Sequence, residues 1–169
     1  FDVLVRAAGR MPGVSVQIVG EGELKGRLWT EIRKLGLQDR VMLRGPLPDR
    51  MLQASFAACD VVCLPSLERT EAFGVVLLEA MRYGRVLVAS DIPGSGAGWV
   101  VKTGQNGFLV TPGDERALGS VFQRLLAQPA LLDEMGKRGK AGFKDHFHIR
   151  PVAHTIGRLY DEVMEGSAD

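Results

Sequence analysis

The chain has 169 residues, of which 46% are hydrophobic and 24% charged, so it carries enough apolar material for one compact domain. Its 21 basic and 20 acidic residues give a formal net charge of +1, which provides no electrostatic basis for binding nucleic acid or an acidic membrane. No apolar run approaches the roughly 18 residues of a membrane span, and no leader-like pattern opens the chain, so we expect neither a transmembrane nor a secreted protein.

Short β-branched runs alternate with longer segments of helical periodicity along the chain. A helix over residues 2–11 ends at Pro12-Gly13, the next strand ends at a glycine turn, and Asp114 reads as the N-cap of a later helix. The predicted strands are residues 14–19, 41–43, 61–64, 86–89 and 107–110, and the remaining predicted helices are residues 24–35, 49–57, 73–83, 115–127, 130–147 and 152–164.

This alternation predicts the α/β class, with a doubly wound, Rossmann-like parallel sheet and extra C-terminal helices. Ligands of such sheets bind beyond the carboxyl ends of the strands. The loops that leave those ends, at residues 20–22, 45, 65–74 and 91–99, are therefore where a functional site is expected.

The two cysteines give no sign of a disulfide framework or a zinc site. Cys59 and Cys63 are close in sequence, and no second pair of Cys or His residues lies near them. We expect both thiols to be reduced and buried, in a cytosolic protein.

The turn Gly20-Glu21-Gly22 follows a strand and is predicted to open a helix. Backbone N–H groups and the helix dipole at such a position attract an anion. The turn lacks the third glycine of a dinucleotide-binding motif and the lysine of a P-loop, so a plain tight turn remains an alternative.

The segment from Glu71 to Met81 is the more informative one. Its apolar residues 75–78 surround the helix axis, which predicts a helix buried on all sides with Glu79 projecting from it. A carboxylate there needs hydrogen-bond donors, and ligand hydroxyl groups are suitable. Glu71 lies just before the helix, and Gly74 leaves room for a phosphate at its first turn. In the alternative, Glu71 interacts with the dipole at the helix N-terminus, and Glu79 forms an ion pair or reaches solvent.

Other polar and aromatic residues suggest less. Asp60 precedes its strand and so lies at the wrong edge, and Ser66 has no histidine partner in sequence. Trp99 is expected to plug the core at the sheet edge, with a lid over a ligand as the alternative. The histidines all fall in the C-terminal helical stretch, where surface roles are expected: His146, His148 and His154.

Six segments in the same order resemble the C-terminal half of retaining glycosyltransferases of the large GT-B family 4. The Glu71-x7-Glu79 pattern, continued by Ala80-Met81, is one of them. The other five are residues 19–22, 35–41, 58–66, 89–94 and 104–110. Together they span nearly the whole chain, whereas any one of them is a weak signal.

The resemblance implies a domain that binds a nucleotide-diphosphate sugar, with no metal and no other cofactor. It assigns Glu71 to the donor sugar as the catalytic residue and Glu79 to the ribose. It places the backbone of Phe73, Gly74 and Val75 against the diphosphate, Gly20 and Gly22 along the nucleotide, and Arg44 in the stretch that faces the base.

The resemblance also implies how the protein is organised. Residues 1–150 match the donor-binding domain with its first strand truncated, and residues 151–169 match a helix that crosses back to an acceptor-binding N-terminal domain. That domain, and the Arg and Lys that the family carries on the first strand and loop, would precede Phe1. The expected setting is cytoplasmic polysaccharide or glycolipid assembly. Peripheral membrane association of the full-length enzyme and pairing of two copies through the last helix are further hypotheses.

Two other readings of the same fold stay open, namely a nucleotide-sugar binding module without transfer and a GT-B sugar-nucleotide epimerase. An epimerase usually adds catalytic acids and a cleft histidine, and a phosphorylase a cofactor lysine, neither of which is evident. A phosphate-accepting receiver requires acidic residues at the strand ends, where this chain has Gly20, Gly45, Pro65 and Ser90.

Overall fold

The computed structural model describes residues 1–69 and 73–166, in which the predicted strands and longer helices follow one another in the predicted order. A short helix over residues 97–100 was not predicted, because the sequence there reads as a flexible loop. The elements are α1 (Asp2–Ala8), β1 (Val16–Val19), α2 (Lys25–Lys34), β2 (Val41–Gly45), α3 (Asp49–Ala58), β3 (Val61–Leu64), α4 (Val75–Arg82), β4 (Val86–Ser90), α5 (Ala97–Val100), β5 (Gly107–Val110), α6 (Glu115–Ala127), α7 (Pro129–Gly142), a π-helical turn (Phe143–Phe147) and α8 (Ile149–Gly166).

The predicted elements are confirmed, and the largest differences lie in the helices. Helix α1 ends at Ala8 rather than Met11, and the predicted helix over residues 130–147 is α-helical only to Gly142 before it widens into the π-helical turn. Asp114 is the N-cap of α6, where its Oδ1 accepts hydrogen bonds of 2.9 Å from the N–H groups of Arg116 and Ala117.

All strand pairs are parallel, but the described residues form two ladders instead of one continuous sheet. Strand β1 pairs with β2, and β4 lies between β3 and β5. Strands β1 and β3 therefore each keep one unpaired edge in the described residues. Helices join successive parallel strands, and apolar clusters cover both faces of β4, as expected for the doubly wound class that the sequence predicts.

The two ladders share one apolar core. Val16 and Ile18 of β1 belong to the same buried cluster as Val86 and Val88 of β4, and α1, α2 and α6 close that side. A second cluster on the opposite face contains Leu87 and Ala89 of β4 together with residues of α3, α4 and α5. This alternation along β4 is the period-two pattern of a strand that is covered on both faces.

A buried amide holds the turn between α5 and β5. The side chain of Asn106, which is 6% exposed, donates to the carbonyl of Val100 at 3.0 Å and accepts from the N–H of Lys102 at 2.7 Å. One side chain thus satisfies two backbone groups that would otherwise lack partners in a partly buried turn.

We expect Asn106→Ala to lower the free energy of unfolding by about 2 kcal/mol or more, because it leaves the Val100 carbonyl and the Lys102 N–H without partners. Urea denaturation of both proteins measures the difference. The matched control is Gln105→Ala, which removes an exposed amide one residue away and should change stability by less than about 0.5 kcal/mol. Equal losses in the two variants would contradict the proposed role of Asn106.

Both cysteines are free, as predicted, although neither residue is fully buried as a whole. Burial raises the pKa of the Cys63 thiol to about 12, and burial also raises the pKa of Cys59, against the opposing effect of the Arg85 charge. Because the thiolate is the reactive form, a raised pKa keeps both thiols protonated and slow to react at neutral pH.

Alkylation by iodoacetamide tests this burial in a Cys59→Ala background, where Cys63 is the remaining thiol. At pH 8 we expect the native protein to react at least roughly a hundredfold more slowly than the protein in 6 M guanidinium, in which the pKa returns to its ordinary value. Comparable rates in the two conditions would mean that Cys63 is accessible in the native fold.

Candidate functional site

The carboxyl ends of β1 and β2 meet at a pair of glycines. Gly20 has a φ of +121°, and its N–H donates to the carbonyl of Gly45 at 2.9 Å. Gly22 and Arg44 are both exposed on this edge. The prediction was that the glycine turn opens the helix directly. In the structure, α2 begins at Lys25, and a short exposed stretch connects it to the turn.

The first turn of α4 is shaped by Gly74. This glycine is the N-cap, with a left-handed φ of +77°. A Cβ atom at this position would lie 2.8 Å from Cδ2 of Leu64 and 3.0 Å from Cδ1 of Leu77. The chain therefore needs glycine here for both its backbone angle and its close packing. The N–H of Leu77 donates to the carbonyl of Gly74 at 2.8 Å, whereas the N–H groups of Val75 and Val76 have no carbonyl four residues earlier within the helix, which suits them to an anion at this edge.

The prediction that α4 is buried on all sides is wrong. Val75 is 64% exposed, and Glu79, four residues later on the same helix face, is also exposed. Leu77, Ala80 and Met81 form the buried face. The four apolar residues do surround the axis, but α4 packs against its neighbours on one side only, and the face that carries Val75 and Glu79 is open.

The open face also removes the argument that burial forces Glu79 to seek a ligand. Glu79 is exposed, and no described residue forms an ion pair with it. Its carboxylate is therefore accessible to a ligand. Glu71, the predicted catalytic residue, lies outside the described residues. Phe73, next to that segment, is half-buried and directly precedes the glycine cap.

The expectation that Trp99 plugs the core is also wrong. The indole is 58% exposed and belongs to the short helix α5, which follows the loop that leaves β4. It contacts Phe147 edge to face, with ring centroids 5.0 Å apart, and Phe73 in a tilted arrangement at 6.0 Å. These partners lie at the surface, where the sheet edge meets the π-helical turn, so the ring is held but not covered.

Sequence reasoning missed Arg69. Its guanidinium lies against Gly94, because a Cβ atom added at Gly94 would be 3.2 Å from Cζ of Arg69. This contact joins the loop that leaves β3 to the loop that leaves β4. The available signal was a basic residue in a strand-end loop. The three histidines, His146, His148 and His154, are exposed in the C-terminal helical region, as predicted, although His146 lines a cavity together with Trp99. Asp60 is exposed and precedes β3.

Within residues 1–69 and 73–166, no three His, Cys, Asp or Glu residues are grouped as metal ligands would be. In the same part of the chain, no helix is both long enough and apolar enough to cross a bilayer. The edge therefore offers backbone N–H groups, glycine turns, an exposed carboxylate and a guanidinium, which is a set suited to a polar, anionic ligand with hydroxyl groups.

Comparison with known proteins defines the family. Residues 1–142 match the model of the glycosyl transferases group 1, and the chain belongs to that family. It is 37% identical over 97% of its length to the exopolysaccharide phosphotransferase SCO2592 of Streptomyces coelicolor, and 29% identical over 99% of its length to the O-antigen chain mannosyltransferase C of Escherichia coli. The chain spans 16% and 44% of these two proteins.

Among solved structures, the chain resembles HepE (Alr3699) of Anabaena in complex with UDP-glucose. The TM-score is 0.84, the identity is 29%, and the match covers 95% of this chain and 44% of that one. The fold is thus the Rossmann-like α/β fold of GT-B glycosyltransferases. The chain spans less than half the length of the proteins it is compared with here.

We expect Gly74→Ala to lower the free energy of unfolding by about 2–4 kcal/mol, because it combines a left-handed φ with contacts to Leu64 and Leu77 that are too short. The control is Gly26→Ala, a glycine within α2 that has open space around it and should gain up to about 1 kcal/mol from helix propensity. Thermal and urea unfolding measure both, and a neutral Gly74→Ala would show that the cap can relax.

Proposed function

We propose that this chain is the donor-binding half of a retaining hexosyltransferase of GT-B family 4. It binds a nucleotide-diphosphate sugar and, with an acceptor-binding N-terminal domain, transfers the hexose to a polysaccharide or glycolipid in the cytoplasm. The observation that carries the proposal is the glycine-capped N-terminus of α4. The cap, Gly74, comes three residues after Glu71 in sequence, and the helix begins at the strand-end edge, as does the glycine turn at Gly20.

The chemistry of the edge supports a diphosphate at α4. The partial positive charge at the helix N-terminus stabilises an anion, and the missing Cβ of Gly74 lets the anion approach the backbone of Phe73 and Val75. The same groups stabilise the diphosphate as it leaves, so the proposed transfer needs no metal ion. HepE of Anabaena, with 29% identity, has a solved complex with UDP-glucose.

The nucleotide is then assigned to the β1 side of α4. Gly20 and Gly22 leave space along it, and the stretch around Arg44 faces the base. Glu79 shares the open face of α4 with Val75, so its exposed carboxylate can accept hydrogen bonds from the two ribose hydroxyls. Glu71, eight residues earlier, is assigned to the donor sugar.

We further propose that residues 1–150 form the donor-binding domain and that a strand fills the space between β1 and β3. Both edges are unpaired in the described residues, yet the strands on either side share one core. A parallel strand there would join the two ladders into one sheet and end at the same carboxyl edge.

Helix α8 is assigned to the acceptor-binding domain, as the segment that packs against it. The helix is exposed almost throughout, and its large apolar residues need cover: Ile149, Val152, Ile156, Leu159, Tyr160, Val163 and Met164. Pairing of two copies through this face and association of the complete enzyme with the membrane surface remain further proposals.

A nucleotide-sugar binding module without transfer is the second candidate. It is favoured by the match to 16% of a protein that is named a phosphotransferase, because a domain of this kind then occurs in a protein that is not named for sugar transfer. A module of this kind would bind the donor, but it would not transfer sugar when joined to its acceptor domain.

Calorimetric titration with UDP, GDP, ADP and their hexose conjugates tests the site. We expect one nucleotide to bind and Glu79→Ala to weaken both that nucleotide and its sugar conjugate by roughly 10- to 100-fold, because a hydrogen bond to a charged group contributes about 1.5–3 kcal/mol. Glu71→Ala should weaken the sugar conjugate more than the bare nucleotide.

The matched control is Glu162→Ala, which removes an exposed glutamate from α8 and should leave every titration unchanged. Equal effects of Glu71→Ala on both ligands would contradict the division of roles between the two glutamates. Absence of binding by all three nucleotides would contradict the proposed function of the chain.

A further inference from the structure

Trp99 has a position that neither the fold nor the nucleotide site explains. A large aromatic side chain usually buries most of its surface, but this indole stays 58% exposed on the edge of the sheet. Its contacts with Phe147 and Phe73 come from two different segments of the chain, which fixes the ring in place. The result is a rigid aromatic surface that is open to solvent.

The topology places this surface at one end of the proposed donor site. The loops that leave β3 and β4 come together here, because the guanidinium of Arg69 in the first lies against Gly94 in the second. Trp99 follows β4, and its ring contacts Phe73, the residue before the cap of α4. A sugar attached to a diphosphate at the first turn of α4 therefore lies near Trp99.

Trp99 also lines a cavity of about 640 Å³ between α5, α7, the π-helical turn and α8. Apolar side chains such as Ile156 contribute to its wall, and the exposed His146, next to Phe147 in the π-helical turn, supplies a hydrogen-bonding group, whereas the exposed Lys102 and Gln105 lie in the turn before β5. An exposed aromatic ring in a cavity with polar side chains matches a sugar ring, which has apolar C–H faces and a rim of hydroxyls.

We propose that Trp99 is a specificity-determining residue whose indole stacks on the apolar face of a pyranose ring. The proposal rests on the proposed function for the direction of the ligand, but the ring and its cavity are independent of the nucleotide. The pyranose comes from the donor or from an acceptor glycan, and the two sources share this chemistry.

Fluorescence separates the possibilities because the chain has two tryptophans. In a Trp29→Phe background, Trp99 is the sole indole, and the replaced residue is on α2, where it contacts Arg33. The protein is titrated with UDP, with UDP-glucose, and with maltose at high concentration. Mannitol, a linear polyol, serves as the control for solvent effects, and calorimetry records nucleotide binding in parallel.

We expect a pyranose ligand to shift and quench the Trp99 emission, while mannitol does not. A response to UDP-glucose but not to UDP assigns the donor sugar, and a response to maltose assigns an acceptor ring. In the wild-type chain, Trp99→Ala should weaken the responding sugar by roughly tenfold, and Trp99→Phe should restore much of the affinity. Circular dichroism and the Tm check that both variants remain folded.

Nucleotide binding without any sugar-dependent change in Trp99 emission would overturn the inference and leave the proposed function intact. Unchanged sugar affinity in a folded Trp99→Ala variant would also overturn it. If GDP or ADP binds in place of UDP, that nucleotide and its hexose conjugate replace UDP and UDP-glucose. If none of the three nucleotides binds, the proposed function fails, and the maltose titration alone decides whether Trp99 recognises a sugar ring.

Discussion

Strand β4 is the element on which the rest of the structure depends. It is buried along its whole length, pairs with a parallel strand on each side, and sends alternate side chains into two apolar cores. Because Val86 and Val88 enter the core that also receives Val16 and Ile18 of β1, the strand sets the relative position of the two ladders. The loops that leave the strands lie at the carboxyl edge of this framework.

That edge combines rigid support with open space. Gly74 packs close to Leu64 and Leu77 at the start of α4, whereas Val75 in the first turn and Glu79 one turn later are exposed. An anion site made from backbone N–H groups needs this arrangement, because the groups must be held in position before the ligand arrives and must remain accessible to it.

Among the described residues, strands β1 and β3 each keep an unpaired edge, and the apolar face of α8 is exposed. Unpaired strand edges and exposed aliphatic residues are both costly in water, and both favour contact with further polypeptide. The relatives named above are more than twice as long as this chain, and in the proposed function they supply the model for what covers these surfaces.

The sequence by itself determined the order and type of the elements, because apolar periodicity, glycine turns and the Asp114 cap act over a few residues. It also indicated the family through the spacing of its motifs, and it predicts a site at the strand ends. Only the tertiary structure decided which faces are covered. The exposure of Val75, Glu79 and Trp99, the contact of Arg69 with Gly94 and the separation into two ladders depend on neighbours distant in sequence. A local pattern shows that a residue is apolar or charged, but the packing of remote elements decides whether it meets protein or solvent.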